Sequence, residues 1–273
     1  MGAVSVSEHY GQPDLGRRIL DALQKAEKNL DALTIDDLAA VDQFHVRGKQ
    51  STIDLAQLAG ISSQQTVLDV GGGLGGPART LASLFGCDVT VVDLTEEYCS
   101  VGEMLTARVG LSDRVHHRHA NALNLPFPDA SFDVVWTQHS TMNIEDKPSV
   151  YAQFQRVLRH EGRYVSQEIM QGAMTPVYFP VPWARDPAIS FLQTPSVTRT
   201  QIESAGFTAL HWIDETASAR DWYDKRVQTA STGLPTLGIH LLLGEDMMAM
   251  SLNQIRNLNE HRIAIIQAVF QKA

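Results

Sequence analysis

Apolar positions change period along the chain in a regular way. Leu15, Ile19, Leu23, Ala26 and Leu30 recur at three- to four-residue steps, the stripe of an amphipathic helix. Thr34-Ile35-Asp36-Asp37 supplies the capping residue and first-turn acids of a second helix, and a third is expected from Lys49 to Ala59. From residue 67 onward, short β-branched runs alternate with helical stripes. Val67–Val70, Asp88–Asp93, Val115–His119, the run ending at Trp136 and Arg163–Ile169 read as five strands. Ala78–Phe85, Glu96–Val109 and the stripe Tyr151, Phe154, Val157, Leu158 read as the helices between them, with Gly86 and Gly110 as C-terminal stops. Such alternation predicts a parallel, doubly wound sheet.

The last third breaks the rhythm. Gly172–Val197 is crowded with proline and aromatic residues, among them Pro176, Tyr178, Phe179, Pro180, Pro182, Trp183, Pro187, Phe191 and Pro195. Proline-broken segments of this length serve as lids or binding loops; an apolar plug on the sheet is the alternative. Thr198–Ala205 is then expected as a capped helix ending at Gly206, and Phe207–Ile213 as a sixth strand. Helices near Ser218–Thr229 and Glu245–Asn259 precede a closing strand, His261–Phe270. A helical insertion before a final strand implies that strands six and seven pair antiparallel at the sheet edge. The expected fold is therefore α/β: a Rossmann-like, seven-stranded, doubly wound sheet, mostly parallel with an antiparallel last strand, plus a helical cap. Residues 1–60 form an N-terminal helical lid and residues 61–273 the core, with cap insertions at about 172–197 and 217–260.

The candidate chemistry starts at Val67–Pro77, Val-Leu-Asp-Val-Gly-Gly-Gly-Leu-Gly-Gly-Pro, where a strand runs into a glycine turn and a helix start. Gly71, Gly73 and Gly76 satisfy the dinucleotide spacing G-x-G-x-x-G, with Asp93 ending the next strand as a ribose-binding acid. Asp69, Gly71, Gly73 and Gly75 equally satisfy D-x-G-x-G-x-G. An acid two residues before the glycines would repel a pyrophosphate, whereas it suits the ammonium and sulfonium of S-adenosylmethionine. On these residues the chain resembles the class I S-adenosylmethionine-dependent methyltransferases. The likeness continues through Asn121-Ala122, Leu125-Pro126-Phe127 and Ser131-Phe132-Asp133, and it is strong over roughly 64–170. It is closest to the branch of ubiquinone/menaquinone C-methyltransferases and sarcosine/dimethylglycine N-methyltransferases.

The resemblance implies S-adenosyl-L-methionine as cofactor, held by Asp69, Gly71, Gly73, Gly75, Asp93, Leu94, Asn121, Ala122 and Gln138. Tyr10, His45 and Gly48 would close over its methionine end. Asp93 would accept both ribose hydroxyls. Asn121 stands where many relatives have Asp, so its carbonyl would take the adenine amino group with a weaker grip. The crevice past the fourth strand, Thr137–Ile144, is where reacting groups belong. A histidine pair common there falls on Met142 and Asn143, so the usual base is missing. His139 and Glu168 become the candidate base and its orienter, with a purely structural His139 as the alternative. Tyr178, Trp183 and Phe191, together with His139, are expected to touch the acceptor. The missing pair leans the reading towards N-methyl transfer to a small molecule. An O- or C-methyltransferase of a natural product or quinone-like molecule is the alternative, and an NAD-dependent oxidoreductase a more remote one.

Composition narrows this only a little. The net charge of −9 argues against a nucleic-acid substrate. Two cysteines, Cys87 and Cys99, give no disulfide framework and suit a reducing cytoplasm. No apolar run approaches the roughly 18 residues of a membrane span. No metal is expected; a small-molecule acceptor is the expected partner, and a homodimer is compatible with the reading.

Overall fold

A computed structural model describes residues 5–11, 13–229 and 236–273. Four helices come first: α1 Val6–Tyr10, α2 Leu15–Lys25, α3 Ile35–Asp42 and α4 Gly48–Leu58. The alternating core follows as β1 Thr66–Val70, α5 Gly76–Phe85, β2 Asp88–Asp93, α6 Glu96–Arg108, β3 Val115–His119, β4 Phe132–Gln138, α7 Lys147–Val157 and β5 Leu158–Gln171. The chain ends with α8 Pro195–Ser204, β6 Phe207–Asp214, α9 Thr216–Thr229, α10 His240–Leu243, α11 Met247–Asn259 and β7 Ile263–Lys272.

The seven strands form one sheet in the order β3-β2-β1-β4-β5-β7-β6. β1 to β5 are parallel, while β7 runs antiparallel to both β5 and β6. This is the predicted architecture, and its reason is burial. Val67, Val89, Val91, Val134 and Trp136 enter one apolar cluster beneath α4 and α5, whereas Leu68, Val70, Val135 and Tyr164 enter the other beneath α7 and α8. Strands covered on both faces must be apolar at successive positions, as these are.

Several boundaries differ from expectation; α2, for one, stops at Lys25, short of Leu30. β5 is longer than Arg163–Ile169 because β4 and β7 pair with its two edges and hold it extended. α8 starts at Pro195, capped by Thr194, whose Oγ1 accepts from the Val197 N–H at 3.4 Å. Thr198 is instead buried inside the helix, since Pro195 lacks an N–H and fits the first turn. His261 lies in the turn before β7, at φ 56°.

Segment 172–197 is the plug, not the lid. Trp183 is 1% exposed, packs in a cluster with Val46, Met142, Ile169 and Ile265, and donates its indole N–H to Ser190 Oγ at 2.9 Å. Tyr178 is held by two guanidiniums, those of Arg256 and Arg262, at 3.7 and 4.2 Å from its ring centre. The apolar ends of β5 and β7 need a cover, and these side chains provide it. Among the described residues, no helix is long and apolar enough to cross a membrane.

Candidate active site

A cavity with about 1090 Å³ of empty space, open to solvent, lies at the carboxyl ends of β1, β2 and β4. Val6 and Tyr10 of α1 line it, as do Val41, Asp42, Phe44 and His45, while Leu242 of α10 closes another side. Open α/β sheets bind their ligands at this place.

The glycine loop forms its floor. Gly73 sits at φ 55°, where a Cβ is disfavoured, and its N–H donates to Asp93 Oδ2 at 3.0 Å. Gly75 does not line the cavity. A Cβ there would come within 2.5 Å of the His117 ring, so its bareness lets α5 pack against β3. Asp93 also accepts the Thr95 N–H on Oδ1 at 2.8 Å, which fixes the carboxylate at the end of β2. Burial raises its carboxyl above the usual range.

Asp69 is 1% exposed, and its Oδ2 has no hydrogen-bond partner. Burial, helped by the charge of Asp93, pushes its pKa up to about 8. A buried carboxyl without a partner is costly unless a cationic group comes to it. Leu94, Asn121 and Ala122 line the wall beyond Asp93. Asn121 Oδ1 accepts the Leu123 N–H at 2.9 Å, an Asx turn that holds the side chain in place.

His45 and Gln138 belong to a buried polar network. Gln138 Oε1 accepts from Trp136 Nε1 and Thr52 Oγ1, each at 3.0 Å, and its Nε2 donates to Gln167 Oε1 at 3.1 Å. His45 Nε2 lies 3.1 Å from Gln43 Oε1, and its Nδ1 lies 3.1 Å from Ser51 Oγ. Both ring nitrogens are thus occupied, and burial lowers the pKa to about 4, so the ring is neutral. Gly48 stays outside the cavity; at φ 53° it turns the chain into α4.

His139 lines the cavity in a left-handed conformation, φ 52°. A non-glycine residue held there is strained, and such strain gathers at functional sites. Its Nε2 is buried and has no partner, and its ring meets His45 edge-to-face at 6.2 Å. Burial, then His45, holds its pKa well below the usual imidazole range.

Glu168 is not its orienter. Oε2 accepts the N–H groups of Ser140 and Thr141, each at 3.2 Å, and the residue lines a smaller cavity beside Lys147 and Phe191. Lys147 Nζ donates to the carbonyls of Thr141 and Ile144 at 2.5 and 2.6 Å. These two side chains therefore grip the backbone of 140–144. Tyr178, Trp183 and Phe191 likewise do not line the main cavity. Its aromatic wall is Tyr10, Phe44 and Tyr98, and Tyr10 donates its hydroxyl to Asn143 Oδ1 at 3.0 Å.

Sequence reading also passed over Arg79. This guanidinium is fully buried in α5 and donates to Asp42 Oδ2 at 2.8 Å and to the Leu74 carbonyl at 2.7 Å, tying the end of α3 to the glycine turn. No local pattern announces it, because its partner lies 37 residues away.

Residues 68–166 match a family model described as a methyltransferase domain. The sterol 24-C-methyltransferase of Eremothecium gossypii is 37% identical over 114 residues, covering 42% of this chain and 31% of that protein. The glycine/sarcosine/dimethylglycine N-methyltransferase of Actinopolyspora halophila is 30% identical over 171 residues, 63% of this chain and 27% of that one. The chain thus spans about a third or less of the length of these two curated relatives. Phosphoethanolamine N-methyltransferase 2 of Haemonchus contortus, solved with S-adenosyl-L-methionine, superposes with a TM-score of 0.75 at 17% identity, covering 99% of this chain and 60% of that one. By that match residues 68–166 are a methyltransferase domain.

Proposed function

We propose that this protein transfers a methyl group from S-adenosylmethionine to a small-molecule amine. The observation that carries the cofactor is Asp69. Its partnerless, buried Oδ2 beside the glycine loop fits an ammonium and disfavours the pyrophosphate of NAD. When bound, S-adenosylmethionine supplies an electrophilic methyl on a sulfonium. Asp93, its two oxygens fixed by Gly73 and Thr95, presents free lone pairs to a ribose. Asn121 stands along the same wall to meet the adenine. The N-terminal region acts as a lid through Val6, Tyr10, Val41, Asp42, Phe44 and His45, which line the cavity.

The amine reading is supported by the weakness of the base. His139 sits where protonation is disfavoured, so it is poorly suited to pull a proton from a hydroxyl. It is well suited to accept a hydrogen bond from an N–H and so turn the nitrogen lone pair towards the methyl. One feature favours a second reading, O-methylation: His139 lines the cavity on a strained backbone and its Nε2 has no partner, as a dedicated proton acceptor would.

The test is transfer of isotopic methyl from S-adenosylmethionine to a metabolite extract, with identification of the labelled product, followed by His139→Ala. With an amine acceptor, kcat should fall less than about tenfold, and the rise of rate with pH should follow the substrate's own pKa. With a hydroxyl acceptor, kcat should fall by about 10²-fold or more. No labelled product from a folded protein that binds NAD instead would overturn the proposal.

A further inference from the structure

The cavity is one-sided in its ionisable groups. Asp42, Asp69 and Asp93 line it, and among the described residues no Lys or Arg does. Residues 1–4, 12 and 227–235 contain no Lys or Arg in the sequence, so none can come from there. The cations nearby face elsewhere. Arg79 is turned to Asp42 and the Leu74 carbonyl, Lys147 to the carbonyls of Thr141 and Ile144, and Arg185 to Asp246. Both histidines of the lining, His45 and His139, are buried and neutral at pH 7.

Among the described residues, the starts of α5, on the glycine-loop side, and of α6, whose N-cap is the lining residue Thr95, bring positive potential to the site, each amounting to roughly half an elementary charge. Against them stand the carboxyls of Asp69 and Asp93. Val6, Tyr10, Phe44, Tyr98, Ile144 and Leu242 give the wall its apolar and aromatic part, and its other polar side chains, such as Thr95, Asn121, Gln138, Ser140 and Asn143, are uncharged. A phosphate or carboxylate on the acceptor would lose water here and gain no counter-ion from any side chain of the lining.

We infer that the methyl acceptor carries no anionic group: it is a neutral or amine-bearing molecule with a largely apolar body, offering an N–H or O–H to His139 Nε2. This rests on the methyltransferase reading above. Phosphorylated and carboxylated acceptors are disfavoured by the side chains already present, since no cationic side chain of the lining receives them. Burial alone selects the apolar body.

Matched pairs test it: geraniol and geranyl diphosphate, ethanolamine and phosphoethanolamine, sarcosine methyl ester and sarcosine. Each is titrated calorimetrically into the full chain saturated with S-adenosylhomocysteine. Geraniol should bind, and within every pair that binds, the member without the anion should bind at least tenfold tighter. An anionic member binding as tightly as its partner, or no binding by any of the three members without an anion, would overturn the inference. A second arm places a cation on the wall, Ile144→Lys, checked for folding by its retained affinity for S-adenosylhomocysteine. It should shift the geraniol preference at least tenfold towards geranyl diphosphate, and an unchanged preference counts against the charge argument. If S-adenosylhomocysteine itself fails to bind the unaltered chain, the methyltransferase reading falls first and takes this inference with it.

Discussion

Asp69→Asn should make the cofactor-free protein more stable and its cofactor binding weaker. The carboxyl is 1% exposed, and its pKa rises from 3.8 to about 8, chiefly through burial and secondarily through Asp93. A folded-state pKa above the unfolded one means that the folded chain holds the proton more tightly. The carboxyl therefore costs nothing below about pH 4, an increasing amount as pH rises towards 8, and a constant amount beyond. Four units at 1.36 kcal/mol each set a limit of roughly 5 kcal/mol. Solvent in the open cavity lowers this to about 2–4 kcal/mol. Asparagine removes that cost, so the melting temperature of the free protein should rise by several degrees at pH 8 and hardly change at pH 4. Binding moves the other way. Loss of a charged hydrogen bond to the cofactor ammonium should weaken S-adenosylmethionine by about 1.5–3 kcal/mol, roughly 10- to 150-fold. In the unaltered protein, affinity should climb up to about tenfold from pH 6.5 to 7.5, because the bound cofactor needs the ionised carboxylate. That slope should vanish in the variant. Calorimetric titration and thermal scans across pH measure both effects. Equal affinity of the two proteins together with parallel pH curves would refute the role given to Asp69.

Other substitutions test other parts of the site. Gly73→Val puts a β-branched residue at φ 55° and should reduce cofactor affinity more than 100-fold by titration while the far-ultraviolet dichroism is kept. Trp183→Ala should lower stability by about 3–5 kcal/mol in denaturant unfolding and leave cofactor affinity unchanged; a raised acceptor KM at unaltered stability would restore the lid role. Arg79→Met leaves Asp42 buried without its partner and should cost about 3–5 kcal/mol. The double change Asp42→Asn with Arg79→Met should recover most of that loss.

Local pattern determined the sheet and its glycine turn. Val67, Val89 and Val91 are β-branched and buried, and strand periodicity with glycine punctuation marks such segments without reference to partners. The pairing of Asp69 with Asp93 was legible for the same reason. One acid precedes the loop by two residues, the other ends the next strand, and parallel β1–β2 pairing brings both to one end of the sheet. Side-chain direction was not legible. Gln167 pairs with Gln138 in the β4–β5 register and joins the network behind His45. Glu168, one residue on, must then face the opposite side, towards Lys147, because strand side chains alternate. A single step of parity thus separates an orienter of His139 from a clamp on the 140–144 backbone. Aromatic residues posed the same problem without a period to help. Trp183 and Tyr98 look equally fit for a binding wall in sequence, yet the first fills the space over β5 and β7 and the second faces the cavity. Burial of apolar area is non-directional, so composition sets that an aromatic side chain goes inside, and only the packing of distant segments decides which inside it reaches.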